Sequence, residues 1–157
     1  MFREESAELY TVPGERMYPA ARRVPGSEQM AEESFRRIMV VDDDVFILEV
    51  MKELLEPEGI EVVAAESGDE CIAELARGFR GVILMDIMMP RKDGWETIQE
   101  MIDSGLMEGN VVAMLTAKDV PDAELEHLKE HVIDYITKPF EADEIVALVK
   151  GYLNYLP

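Results

Sequence analysis

The side chains best suited to chemistry stand at the ends of short apolar runs. Ile38-Met39-Val40-Val41 runs into Asp42-Asp43-Asp44, and Val82-Ile83-Leu84-Met85 delivers Asp86. The run Asn110 to Leu115 ends at Thr116, and Val132 to Ile136 is followed by Lys138-Pro139. Apolar runs of this length, closed by turn signals such as Pro90 and Asp93-Gly94, are expected of central parallel strands. In a parallel sheet all strand ends of one sense lie at one edge, so these residues converge on one pocket although they are far apart in sequence. Carboxylates crowded there repel one another and tend to hold protons unless a cation neutralises them. A hard divalent cation bound through oxygens, Mg²⁺ with several waters retained, suits such a site. One carboxylate aimed at an incoming phosphoryl group, with a cation, a hydroxyl and an ammonium beside it, has the parts for phosphoryl transfer onto an aspartate. Asp86 is then the nucleophile, Thr116 hydrogen-bonds the phosphoryl oxygens and Lys138 pairs with another of them.

Taken singly, each residue has an ordinary explanation: a loop aspartate, a strand-end hydroxyl bonded to its own backbone, a solvated loop lysine. Their ordered placement on successive strands favours the joint explanation. The elements that must position them alternate regularly from Ile38 onward. Val45 to Leu55 carries a helical apolar stripe at Val45, Leu48, Met51, Leu54 and Leu55, stopped by Pro57 and Gly59. Ile60 to Ala65 reads as a strand, Gly68 to Arg77 as a helix, and Trp95 to Ile102 as a third helix. A charged helix is expected from Pro121 to about Glu130, and a last one from Ala142 to Leu153 with Ile145, Leu148, Val149 and Tyr152 inward. Five strands alternating with five helices through short connections imply an α/β parallel sheet covered on both faces.

Composition limits the alternatives. The chain has 157 residues, 48% of them hydrophobic, enough for one domain with a core and a tail. Its net charge of −19 repels phosphate backbones and anionic lipid, so direct nucleic-acid or membrane binding is not expected. Residues 1–37 carry six basic and seven acidic side chains and three of the eight prolines, leaving nine basic and 27 acidic for the rest. Residues 1–36 are accordingly expected to form a flexible N-terminal tail, with a short helix at Ser27 to Phe35, and residues 37–157 the folded unit. No run is long enough to cross a bilayer and the acidic start lacks the parts of a signal peptide, so a cytoplasmic location is expected. The single cysteine, Cys71, sits at helical spacing with Ile72 and Leu75 and is expected to fill the core. His127 and His131 are four apart, but a strand begins at Val132 and no carboxylate shares their face, so a transition-metal site is not expected.

The motifs Val41-Asp42-Asp43-Asp44, Leu84-Met85-Asp86-Ile87-Met88-Met89-Pro90, Asp93-Gly94, Leu115-Thr116-Ala117 and Lys138-Pro139-Phe140 together resemble those of response-regulator receiver domains, the phospho-accepting half of two-component signalling. The spacing agrees throughout, with Thr116 30 residues and Lys138 52 residues after Asp86. The resemblance covers about Arg37 to Leu156. It implies a flavodoxin-like, doubly wound five-stranded sheet of order 2-1-3-4-5. It implies Mg²⁺ held by Asp43, Asp86 and the backbone carbonyl of Met88, with Asp42 acting through a bound water. Asp44 falls one place beyond the family's acidic pair and is expected to cap the first helix. The peptide before Pro139 is expected to be cis.

The resemblance also implies a switch. Thr116 moves toward a phosphorylated Asp86, and the aromatic three residues before the lysine, Tyr135, turns into the space left, altering the surface of the fourth helix, fifth strand and fifth helix. Before phosphorylation the Tyr135 hydroxyl is expected in water. The implied donor is a sensor histidine kinase. The implied reader is a downstream target protein, or a phosphotransfer protein if the chain is a relay intermediate. No output domain is expected after Leu153, and the chain is expected to be a monomer, with phosphorylation-dependent dimerisation left open. Two other classes fit the residues less well. A haloacid-dehalogenase-type phosphatase needs a second acid two residues after the nucleophile, where Met88 stands, and a phosphorylation-independent binding module would not need the complete acidic pocket. The bulky Met88 and the basic Lys118 are expected to slow self-dephosphorylation, while the small Ala117 keeps Asp86 open to its donor.

Overall fold

A computed structural model describes the backbone at residues 9–11 and 17–19, and the chain over residues 36–117 and 126–156. Strands β1 (Leu9–Thr11) and β2 (Met17–Pro19) pair antiparallel, with Tyr10 opposite Tyr18. The sequence reading did not anticipate this pairing, because three-residue strands are too short to leave an apolar period in the sequence. The helix expected at 27–35 lies outside the described residues.

The folded unit then runs β3 (Arg37–Val41), α1 (Val45–Leu55), a 3₁₀ turn (Glu56–Glu58), β4 (Glu61–Ala65), α2 (Gly68–Ala76), β5 (Val82–Asp86), α3 (Gly94–Asp103), β6 (Val111–Thr116), α4 (Glu126–Lys129), β7 (Val132–Thr137) and α5 (Ala142–Leu153). The five-stranded sheet has the order β4-β3-β5-β6-β7, all neighbours parallel. Counted within the sheet this is 2-1-3-4-5, the expected order. Residues 121–125 of the expected fourth helix lie outside the described residues.

Alternation along the strands divides the core in two. Ile38, Val40, Val82, Leu84, Val111, Ala113 and Leu115 pack with α1 and α5 residues such as Leu48, Met51, Leu55, Ile145 and Val149. Met39, Val41, Ile83, Met85, Val112 and Met114 pack with Cys71 and Leu75 of α2, Trp95, Ile98 and Met101 of α3, and Leu128 of α4. Because both faces are covered, β5 is buried at every position, which is why its sequence shows no polar alternation. Cys71 is fully buried in the second core, and burial above all pushes its thiol up to about 12, so it fills space as expected.

Two local findings differ from sequence expectation. Val45 is 54% exposed, because it directly follows the N-cap Asp44 at the sheet edge and precedes the first core contact of α1, made by Leu48. In β7 the register slips: Val112 pairs with Val132, but Ala113 pairs with Asp134, leaving Ile133 as an extra residue. Period-two alternation would put Val132 and Tyr135 on opposite faces. The bulge instead puts both on the α3 side, while Ile133 and Ile136 face α5. Asp134 is turned toward α5, where its Oδ2 accepts from the Tyr152 hydroxyl at 2.5 Å.

Candidate functional site

Each candidate residue sits where a strand leaves the sheet. Asp42 follows β3, is fully buried, and its Oδ1 accepts the Asp44 N–H at 2.9 Å. Asp44 in turn caps α1, accepting the Phe46 N–H at 3.0 Å, as expected. Asp86 is the last residue of β5, and Thr116 the last of β6. The Lys138 N–H donates to the Thr116 carbonyl at 2.7 Å, bringing the lysine to the same edge, and the Lys138–Pro139 peptide is cis.

Asp42, Asp43 and Asp86 each offer a carboxylate oxygen within 4.8 Å of the others, Asp43 being the exposed member. Among the described residues they are the one such acidic group, and His127 and His131 join no other. The His127 ring stands 3.4 Å from Gln99 Oε1 at the surface, and His131 lies 3.6 Å from Glu130. The donor set is all hard oxygen, two buried carboxylates and one open to solvent, which fits Mg²⁺ retaining part of its water.

Lys138 Nζ lies 2.7 Å from Asp42 Oδ2 and 3.5 Å from Asp86 Oδ1. Burial pulls its ammonium down, but its hydrogen bond and attraction to Asp42, with a smaller part from Asp86, leave it raised. Asp86 is pushed up to about 6, first by burial and then by repulsion from Asp42, with Lys138 and the Met88 N–H (3.4 Å) opposing. Among the described residues Lys138 thus meets two of the three carboxylates, and the residual negative charge is what a cation would neutralise.

The loop between β5 and α3 completes the edge. Its ends are tied by Ile87 N–H to the Leu115 carbonyl (3.0 Å) and Gly94 N–H to the Ile87 carbonyl (2.9 Å). Lys92 clasps it from outside, donating to Asp69 of α2 at 2.7 Å and to Glu100 of α3. Asp93 and Glu96 form a reciprocal capping box that starts α3. Met88 projects from this loop, 74% exposed. Gly94 is required by close approach: an added Cβ would stand 2.5 Å from the Asp86 carbonyl oxygen and 2.9 Å from the Met114 methyl. Gly94→Ala is therefore expected to lower stability by about 1–3 kcal/mol, although alanine is the better helix former. A thermal midpoint at or above that of the native chain would contradict this.

Tyr135 departs from expectation. Its hydroxyl is buried rather than in water and has no hydrogen-bond partner among the described residues. The bulge in β7 turns the ring toward α3, where it packs against Trp95 with centroids 6.3 Å apart. Sequence reasoning gave Asp93-Gly94 only as a turn motif and Trp95 only as the start of a helix, and it missed Lys92 altogether. Lys118 lies outside the described residues.

Comparison with known proteins agrees with this geometry. The family model described as "Response regulator receiver domain" matches residues 38–150. A solved CheY-like response regulator receiver domain protein from Methanospirillum hungatei JF-1 is 43% identical, with TM-score 0.71, covering 74% of this chain and 93% of that one. The receiver domain of Francisella response regulator 1452 is 30% identical, with TM-score 0.65, covering 75% and 96%. The transcriptional regulatory protein DltR of Streptococcus agalactiae serotype III (strain NEM316) is 34% identical over 114 residues, which is 73% of this chain and 50% of DltR. The chain thus spans about half the length of the curated relatives it matches. No helix among the described residues is long and apolar enough to cross a membrane. With the sheet order in agreement, the chain belongs to the response regulator receiver domain family.

Proposed function

We propose that this chain is a phosphorylation switch in which Asp86 accepts a phosphoryl group from a sensor histidine kinase in the cytoplasm. The observation that carries the proposal is the edge itself: Asp86 ends the fully buried β5 within 4.8 Å of Asp42 and Asp43, with Lys138 3.5 Å away. A carboxylate oxygen of Asp86 forms the new bond to phosphorus while the bond from phosphorus to the donor's imidazole nitrogen breaks and the electron pair leaves with the imidazole. Asp43, Asp86 and the Met88 carbonyl would hold Mg²⁺, with Asp42 acting through water. The bound cation supplies neutralisation of phosphoryl charge. Lys138 and Thr116 are placed to take phosphoryl oxygens, Lys138 turning from Asp42 to do so. With Asp86 at about 6, its carboxylate is mostly ionised at neutral pH and able to act as the nucleophile.

Residues 37–157 form the switching unit and residues 1–36 an appended tail. The output is phosphorylation-dependent binding of a target protein through the surface of α4, β7 and α5, with Thr116 and Tyr135 as the moving residues. The chemistry is limited to phosphoryl acceptance and slow self-dephosphorylation, since Met88 stands where a phosphatase of the haloacid-dehalogenase type needs an acid. A relay role would differ in one measurable respect: phospho-Asp86 would return its phosphoryl group efficiently to a histidine phosphotransfer domain.

Beryllofluoride with Mg²⁺ should perturb the NMR signals of residues around Asp86 in the native chain and leave Asp86→Asn unchanged. Equal responses from both would remove Asp86 as acceptor. The acyl phosphate of the native chain should outlive that of a Met88→Asn, Lys118→Glu double variant by about 10-fold or more, because exposed Met88 hinders the attacking water. Equal half-lives would refute the shielding role.

A further inference from the structure

Trp95 lies between the phospho-acceptor strand and Tyr135. On one side it is buried against the Tyr135 ring, with centroids 6.3 Å apart and planes tilted by 47°. On the other it directly follows Gly94, whose N–H is bonded to the Ile87 carbonyl and whose Cα leaves no room for a methyl group beside the Asp86 carbonyl. The first turn of α3 therefore spans from the backbone of Asp86 to the ring of Tyr135. That turn is stiff, because the Asp93–Glu96 capping box closes it and the Thr97 hydroxyl donates to the Asp93 carbonyl at 2.8 Å. The Lys92 clasp fixes its outer side.

The Tyr135 hydroxyl is buried without a partner among the described residues, a situation that opposes the inward position because the hydroxyl has lost its water without gaining a hydrogen bond. The inward position is thus held by ring packing against an opposing polar cost. An element balanced in this way is set by whatever packs it, and the aromatic wall is Trp95.

We propose that Trp95 is a positioning residue of the Asp86 switch, carrying a displacement of the β5–α3 loop to Tyr135 through the first turn of α3, by a route separate from Thr116. The proposal rests on Asp86 being the phospho-acceptor. It makes α3, and not only the surface of α4, β7 and α5, a part of the molecule that changes with phosphorylation.

The test uses the full chain with Mg²⁺ and beryllofluoride. Fluorine NMR reports beryllofluoride bound at Asp86, the emission of Trp95 reports its own surroundings because it is the single tryptophan, and a labelled-tyrosine signal reports Tyr135. In the native chain binding should shift both Trp95 emission and the Tyr135 signal. In Tyr135→Leu beryllofluoride should still bind while most of the emission change is lost. In Trp95→Leu it should still bind while the Tyr135 shift falls by about half or more. A Tyr135 shift of native size in Trp95→Leu with beryllofluoride bound would overturn the proposal. Should that variant not fold, the emission arm decides: native-size emission change in Tyr135→Leu, or none in the native chain despite binding, overturns it. If the native chain binds no beryllofluoride, the phospho-acceptor assignment itself falls and this proposal with it.

Discussion

Asp86→Asn is expected to stabilise the metal-free chain at pH 7 while abolishing phosphoryl acceptance. The acceptor carboxylate is held at about 6, above the ordinary value near 4, chiefly because it is buried and then because Asp42 repels it. A raised value means that the folded chain binds the proton more tightly than the unfolded one. The stability this confers is fully present below pH 4 and is lost as pH rises through about 6. At pH 7 the native chain therefore carries an ionised carboxylate that the fold disfavours by an amount on the order of 1–3 kcal/mol. The neutral amide removes that burden and keeps nearly the same shape, and Lys138 keeps its bond to Asp42. Urea midpoints in the presence of a chelator should favour Asp86→Asn at pH 7 and converge toward pH 4. With saturating Mg²⁺ the gap should narrow or reverse, because the native chain, with its third carboxylate, gains more binding energy from the cation than the variant does. A variant no more stable than the native chain at pH 7, or equally stabilised at all pH values, would show that the acidic edge is not under this strain.

Lys138→Met should act in the opposite direction and more strongly. The ammonium is 22% exposed, whereas the Asp42 carboxylate it touches is almost wholly buried. Removing one partner of a buried pair costs about 3–5 kcal/mol, and the part-exposed lysine and the open Asp43 side reduce this to about 2–4 kcal/mol. The raised value of Lys138 keeps it charged through neutral pH, so in the native chain the pair persists there. In the variant Asp86, already raised by burial, relieves the loss by taking up a proton, so the destabilisation should be greatest at pH 7 to 8 and shrink toward pH 4. Mg²⁺ should restore part of it, since a divalent cation replaces the missing charge. Phosphoryl acceptance should fall by about 100-fold, the loss expected for one charge-stabilising donor. Adding Asp86→Asn to this background should stabilise more than it does alone, because the two sites share a charge network. Strict additivity by chemical denaturation would place Lys138 outside that network.

Much of the fold could be read from the sequence because a doubly wound parallel sheet writes itself in simple periods. Strands buried on both faces give unbroken apolar runs, as in Val82 to Met85, and helices covering them give stripes such as Leu48, Met51 and Leu55. Parallel pairing then sends Asp42, Asp86, Thr116 and Lys138 to one edge, whatever their separation along the chain. The candidate site was legible for that topological reason.

What the sequence could not determine depends on contacts between elements. The extra residue Ile133 leaves no mark in local periodicity, yet it decides that Tyr135 faces α3 and that Asp134 meets Tyr152 of α5. Val45 has the right spacing for the core but stands before the helix reaches it. Lys138 was read as a partner for phosphoryl oxygens. In the unmodified chain it rests closer to Asp42 than to Asp86, because Asp42 is the more deeply buried charge and gains more from a counter-ion. Sequence thus determined which residues reach the edge of the sheet, through alternation and topology. Only tertiary packing decided which of them touch: side-chain rotamers, a one-residue bulge and the close passage of Gly94 over Asp86 are set by neighbours distant in the chain.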